Sequence, residues 1–245
     1  MKNRNLAGVF AILACSFMFA QNNETPKYEG AGSTIEELLE SHHVKLTSAG
    51  LIEALKDASP EVRSLAAEKL AQDNDKESIP ALVAALQVET VAQTRVNVAY
   101  ALGKLGDERG VTALDSICAD SSAEAFVKTE AARLLLYVAK GTPGCLTAMI
   151  EVLDRADIST RMNAASLLPQ FHDLSDEESE RVFQALIAAL KAEQAPIREA
   201  VSRALGKLGN VSAVPYLQSA LTTEQDGIVR SQMESSLQRL QRKSD

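Results

Sequence analysis

Side chains able to hold a metal or attack a substrate are scarce in this 245-residue chain. Its three histidines stand at two places, His42-His43 and His172. Adjacent positions on a helix point in different directions, so His42 and His43 cannot chelate as an i, i+4 pair would. The cysteines are Cys15, Cys118 and Cys145, too few for a disulfide framework. What does recur is positive charge. Arg63, Arg95, Lys128, Arg161, Arg198 and Arg230 follow one another at spacings of 32, 33, 33, 37 and 32 residues. Such a row could bind anions, or it could pair with acids of neighbouring turns such as Asp57, Glu61 and Asp157. Counting two, five and nine residues on from each of these markers gives a second set. It contains Tyr100, Lys104, Arg133, Tyr137, Arg203, Lys207 and Arg239, with Glu68 and Glu130 as its acids. Five basic residues against two acidic ones make this set a positive stripe with two tyrosines near its middle, the kind of surface that captures a protein or peptide. No catalytic residue, metal ligand or cofactor is assigned.

Helices must position these residues. A Leu stands seven places after every marker (Leu70, Leu102, Leu135, Leu168, Leu205 and Leu237), which marks one apolar face of a helix. A second apolar segment precedes each marker, at 48–55, 79–86, 111–118, 146–153, 183–190 and 214–221, again at helical and not alternating spacing. Pro60, Pro80, Pro196 and Pro215 fall at first-turn positions, and Gly106, Gly141 and Gly209 follow helix ends. The hexapeptide Ala-Leu-Gly-Lys-Leu-Gly at 101–106 recurs at 204–209, an offset of 103 residues or about three units of 34. The chain therefore reads as six antiparallel helical hairpins, at about 48–77, 78–109, 110–142, 143–175, 176–209 and 210–241. A hairpin alone leaves an apolar face bare, and the next hairpin covers it. That is what a composition of 46% hydrophobic residues with no tryptophan and 4% aromatics suits. Ser33 and Glu36 form a capping-box pattern opening an N-terminal helix through about Val44. The acidic insertion at 173–180 is expected in a turn. Cys118 stands where other first segments end on Leu, so it is expected in the core. Cys145 lies about eight positions away in repeat register, roughly 12 Å axially and about 10 Å across helices, so no Cys118–Cys145 disulfide is expected.

The stretches 102–114 and 205–217, each opening Leu-Gly-Lys-Leu-Gly, resemble the short bacterial HEAT-like repeat also seen in phycobilisome lyases. The resemblance covers about 48–241 and implies an all-α superhelix, an α-solenoid. It also implies that the marker row holds repeats together and that the second helices line the concave face, which makes the stripe a candidate groove. Some proteins with such repeats are enzymes. The deoxyhypusine hydroxylases carry paired His-Glu motifs that hold two irons, whereas here no His is followed by Glu, and metal binding is not expected. A bilin lyase would need a cytoplasm with phycobiliproteins, and the N-terminus argues against that.

Residues 1–20 combine Lys2 and Arg4 with an uncharged run at 6–19, the pattern of a secretory signal peptide too short for a membrane span. Cleavage after Ala20 is expected; acylation at Cys15, in a lipobox-like Ile-Leu-Ala-Cys, is the alternative. Residues 21–32 read as a flexible leader, and 33–245 as the repeat domain. Loss of Lys2 and Arg4 takes the net charge from -8 to -10, which disfavours a nucleic-acid partner. The reading is an exported, periplasmic or secreted, non-enzymatic scaffold that binds a protein or peptide, without a membrane span after cleavage. A lyase-like enzyme or maturation factor, and a structural envelope lipoprotein, are the alternatives.

Overall fold

The computed structural model describes residues 33–139 and 142–242. The expected signal peptide, leader, Cys15 and Gly141 lie outside the described residues. Among these residues the fold is an all-α solenoid of thirteen α-helices. A capping helix α1 (Ile35–Ser41) precedes six hairpins. They are α2 (Ser48–Ala54) with α3 (Pro60–Gln72), α4 (Ile79–Val88) with α5 (Ala92–Lys104), and α6 (Glu108–Ala119) with α7 (Ala125–Val138). Then come α8 (Pro143–Arg155) with α9 (Ile158–Leu167), α10 (Asp176–Ala189) with α11 (Ala195–Leu208), and α12 (Val214–Thr223) with α13 (Gly227–Gln241). None of the described helices is long and apolar enough to cross a membrane.

The second helices α3, α5, α7, α9, α11 and α13 pack side by side without a break, whereas close packing among first helices is confined to α6, α8 and α10. An array whose second helices close up while its first helices part must curve with the second helices inside, so they line the concave face. The repeated hexapeptide explains how they approach. Ala101, Leu102, Ala204 and Leu205 are fully buried. A Cβ at Gly103 would press on Val138 of the next second helix, and one at Gly206 would press on Ser236. Gly106 and Gly209 have φ of +87° and +74°, the left-handed caps that glycine adopts without cost.

Two helix starts differ from expectation. The capping box of α1 is Thr34 with Glu37, one residue later than Ser33 with Glu36, and α1 ends at Ser41 because His43 turns left-handed (φ 61°) and Val44 N–H closes on the Leu39 carbonyl. Both registers satisfy the motif; the one adopted buries Leu39 completely. The acidic insertion is a turn only over 173–175 and is helix from Asp176 onward. Ser175 and Glu178 form a capping box, and Asp176, Glu177 and Glu178 complement the dipole of a first turn that lengthens α10.

Two markers of the row, Arg63 and Arg198, hold one unit to the next. Arg63 Nε and Nη2 donate to the Glu89 carboxylate at 2.7 and 2.9 Å, and its Nη1 donates to the Asp57 and Ala58 carbonyls. Arg198 repeats this with Glu224 at 2.6 and 2.8 Å and with the Ala192 and Glu193 carbonyls. Each glutamate belongs to the following unit, and the side chains of Glu89 and Glu224 are only 4% and 3% exposed. Arg161 and Arg230 donate to the carbonyls of Leu153 and Leu221 at the ends of their own first helices. The expected partners were thus partly wrong. Asp57 contributes its carbonyl, and Asp157 caps α9, its carboxyl held at about 2 by the Ser159 and Thr160 hydroxyls and the Thr160 N–H.

Between the third and fourth units a covalent link is found instead. Cys118 and Cys145 form a disulfide with Cα atoms 4.8 Å apart, against the expectation from repeat register. The first turn of α8 rests on the last two turns of α6: Cys145 Sγ faces the Leu114 carbonyl, Gly144 lies against Asp115, and the Thr142 hydroxyl bonds the Asp115 carboxylate. Helix α8 is displaced by one to two turns from the alignment, about 6 to 12 Å of rise. The small Gly144 and Cys145 let the backbones come closer there than ordinary packed helices. Cys118 is nonetheless in the core as expected, 1% exposed.

Two measurements follow. Tryptic digestion without reductant is expected to yield peptide 110–128 linked to peptide 141–155. Replacing both cysteines by Ala should cost about 3 to 4 kcal/mol in urea unfolding, the chain-entropy estimate for a closed loop of this length. Separate peptides and an unchanged midpoint would contradict the link. For the ion pairs, Arg198→Ala strands a buried carboxylate and should cost about 3 to 5 kcal/mol. Arg95→Ala, at an exposed marker, should cost less than about 0.5 kcal/mol. Glu224 is held at about 2 by the Arg198 hydrogen bonds, below its unfolded value of about 4.3. Its contribution is therefore complete above about pH 5 and lost as pH falls toward 2, so the gap between Arg198→Ala and the parent should narrow on acidification.

Candidate functional site on the concave face

The stripe is not one surface. In the first three units its charges cancel, Lys104 and Arg133 against Glu68 and Glu130; the excess of +3 belongs to Arg203, Lys207 and Arg239. The structure brings the first group together and leaves the second apart.

Helices α3, α5 and α7 supply the first group from consecutive turns on the concave side. Arg133 and Glu130, one turn apart on α7, form an ion pair at 2.6 Å with side chains only 12% and 13% exposed. The guanidinium carbon lies 6.0 Å from the centroid of the Tyr137 ring, a cation–π arrangement, and that ring is 54% exposed. Glu68 and Tyr100 stand on the two preceding second helices. Burial raises the Glu68 carboxyl above the ordinary range, and the charges of Lys104 and Arg133 oppose that rise. Burial also raises the Tyr100 hydroxyl, helped by the Glu68 charge. The result is a half-enclosed cluster of two acids, two bases and two tyrosines, open through Tyr137 and Lys104. The spacing rule found every member, but it did not foresee that the acids would neutralise the bases.

A cavity of about 180 Å³ continues this surface toward the N-terminus. It opens between α1, α3 and α5 and is walled by Leu38, Pro60, Leu65 and Val91, with Glu61, Glu68 and Gln93 among its polar groups. Sequence periodicity missed it because Leu38 enters from α1, outside the repeat. At the other end Arg203 pairs with Glu199 of its own helix and donates to Gln232 at 3.4 Å, while Lys207 and Arg239 are exposed. Leu65 and Ala200, also stripe positions, are buried in packing.

A metal centre does not fit these residues. His42 and His43 close α1, His172 precedes α10 four units away, and the described residues hold no group of three or more metal-ligating side chains. Cys118 and Cys145 are joined to each other.

A family model for HEAT repeats matches residues 48–136 and 146–238. A curated relative, deoxyhypusine hydroxylase-B of Oryza sativa subsp. japonica, is 27% identical over 191 residues, covering 70% of this chain and 63% of that protein. The chain thus spans less than two thirds of that relative's length. Among solved structures, an engineered protein superposes with a TM-score of 0.52 at 20% identity, covering 80% of this chain and 98% of that one. The phycocyanin lyase complex of Nostoc sp. PCC7120 matches with a TM-score of 0.38 at 19% identity, covering 89% of this chain and 99% of that one.

The desolvated Glu68 gives a direct check. A carboxyl whose folded pKa is raised weakens the fold when ionised and ceases to do so once protonated. Glu68→Gln should therefore raise the thermal midpoint at pH 7, with the gain fading as pH falls through the carboxylate range. A lower midpoint at pH 7 would show that the charged form is favoured by its neighbours.

Proposed function

The chain belongs to the HEAT-repeat family, and from that premise we propose that it is a non-enzymatic scaffold that binds a protein or peptide in its concave groove. One observation carries the reading: Tyr100, Arg133 and Tyr137 meet with Glu68 and Lys104 on consecutive second helices, half enclosed but open to a ligand. A largely buried arginine beside an exposed tyrosine suits a protein interface, since arginine and tyrosine are enriched among the residues that anchor one. Arg203, Lys207 and Arg239 extend the groove with positive charge, suited to steering an acidic segment.

We further propose that the chain is exported. The charged and apolar pattern of residues 1–20 supports this, and so does the Cys118–Cys145 disulfide, since such bonds persist in oxidising compartments. A hydroxylation like that named for the rice relative lacks support in these residues, which offer none of the His-Glu pairs that the family resemblance implies for such enzymes.

The test is affinity purification of the protein from its native envelope fraction, with mass spectrometry of the partner and of the mature N-terminus. Tyr137→Ala should weaken the captured partner by about tenfold or more, the effect of losing an interface anchor. Lys104→Glu should weaken it less and change its salt dependence. Unchanged capture by both variants would overturn the concave-face reading, and a cytoplasmic protein retaining residues 1–20 would overturn export.

A further inference from the structure

The cavity between α1, α3 and α5 has a chemistry of its own. Its walls are mostly hydrocarbon, from Leu38, Pro60, Leu65 and Val91, and the ionisable residues lining it are Glu61 and Glu68, with no Lys, Arg or His. The Gln93 amide nitrogen donates to Asn97 Oδ1 at 3.4 Å, and the Thr94 hydroxyl donates to the Pro60 carbonyl at 3.3 Å, so both of those donors are already engaged. A carboxylate whose water has been removed is costly unless a donor or a cation replaces it.

An occupant that is apolar along its length and carries positive charge at its end matches this lining. A purely aliphatic side chain would fill the walls but strip water from the carboxylates, and an acidic one would face two like charges. From this we infer that the cavity receives one lysine or arginine side chain of the bound protein or peptide, the stem against Leu65 and Val91 and the cationic head between Glu61 and Glu68. The assignment rests on the concave-face reading and sharpens it. A ligand would place a basic residue here and its acidic residues toward Arg203, Lys207 and Arg239, so it would be bipolar along the groove.

Small probes test this without the natural partner. Nα-acetyl-lysine methylamide, its arginine analogue and Nα-acetyl-norleucine methylamide would be titrated into the isotope-labelled protein and followed by amide NMR. The two cationic probes should shift the amides of Ser64, Leu65, Gln93 and Thr94 at about millimolar concentration, as expected for ligands of this size. Norleucine, with the same stem and no charge, should bind at least about tenfold more weakly, the worth of one charge-assisted hydrogen bond. Glu68→Gln should shrink that preference, and Ser64→Phe, which crowds the mouth, should abolish the shifts in a protein whose remaining spectrum is unchanged. Equal or tighter binding of norleucine would overturn the assignment, as would the lack of any shift from the cationic probes. If a captured partner survives Ser64→Phe but is lost in Tyr137→Ala, the cavity assignment fails while the concave-face reading stands.

Discussion

Each hairpin of this molecule has an apolar face that only another hairpin can cover, and the rest of the structure follows from meeting that need six times over. Ala67, Ala99, Ala132, Ala165 and Ser202 occupy the position four residues past a marker on the first five second helices and are all buried, small enough for the next second helix to close up. The first helices are not held to the same spacing, and several part from their neighbours. Curvature is thus a consequence of residue size on one side of the array, and the concave face is its product. The ends complete the arrangement. Helix α1 buries Leu39 and is tied to α3 where Lys69 reaches both Glu36 and Asp73, while α13 buries Met233, Leu237 and Leu240 and turns its polar residues outward. Terminal units with a polar outer side are what keep a stacked array from growing.

Apolar stacking gives adhesion but only loose register, and the polar links between units supply the rest. Arg63–Glu89 and Arg198–Glu224 are the same device at two steps of the array, a bidentate pair whose carboxylate also accepts backbone N–H groups of its own turn. Such a pair adds specificity of position more than stability, because both ions lose water to form it. At the step from the third to the fourth unit the C-cap position held by Glu89 and Glu224 is Ala156, and the neighbouring Asp157 caps α9. There Cys118–Cys145 links the first helices instead. The displaced start of α8 and the disulfide belong together, since in the aligned register the two cysteines could not meet.

Much of this was legible in the residues. The marker row, the Leu seven places on, the first-turn prolines and the left-handed glycines placed all six hairpins, because each depends on local geometry that repeats. What escaped was whatever depends on how neighbouring helices slide. Glu89 and Glu224 end the first helices of the following units, outside the periodic positions, so the acids nearest a marker along the chain, Asp57, Glu61 and Asp157, stand out in their place. Helix register decided the disulfide, and the alignment assumed parallel, unshifted helices where Gly144 and Cys145 permit a closer and displaced contact.

The stripe shows the same division between what spacing can and cannot tell. Spacing identifies which side chains share the concave face, but their electrical character depends on water. Arg133 is a surface cation by its place in the repeat, yet with 12% of its side chain exposed and Glu130 at 2.6 Å it acts as half of a dipole. Arg203, at the equivalent place, pairs with Glu199 but keeps 52% of its side chain in solvent, and Lys207 and Arg239 are exposed, where salt screens them. Enclosed charges discriminate by the cost of leaving them unpaired, and exposed charges act mainly by steering. On the proposed reading, a groove with compensated charges over its first three units and exposed positive charge over its last two would select at one end and attract at the other. That asymmetry follows from Glu68 and Glu130, which stand only in that half of the stripe.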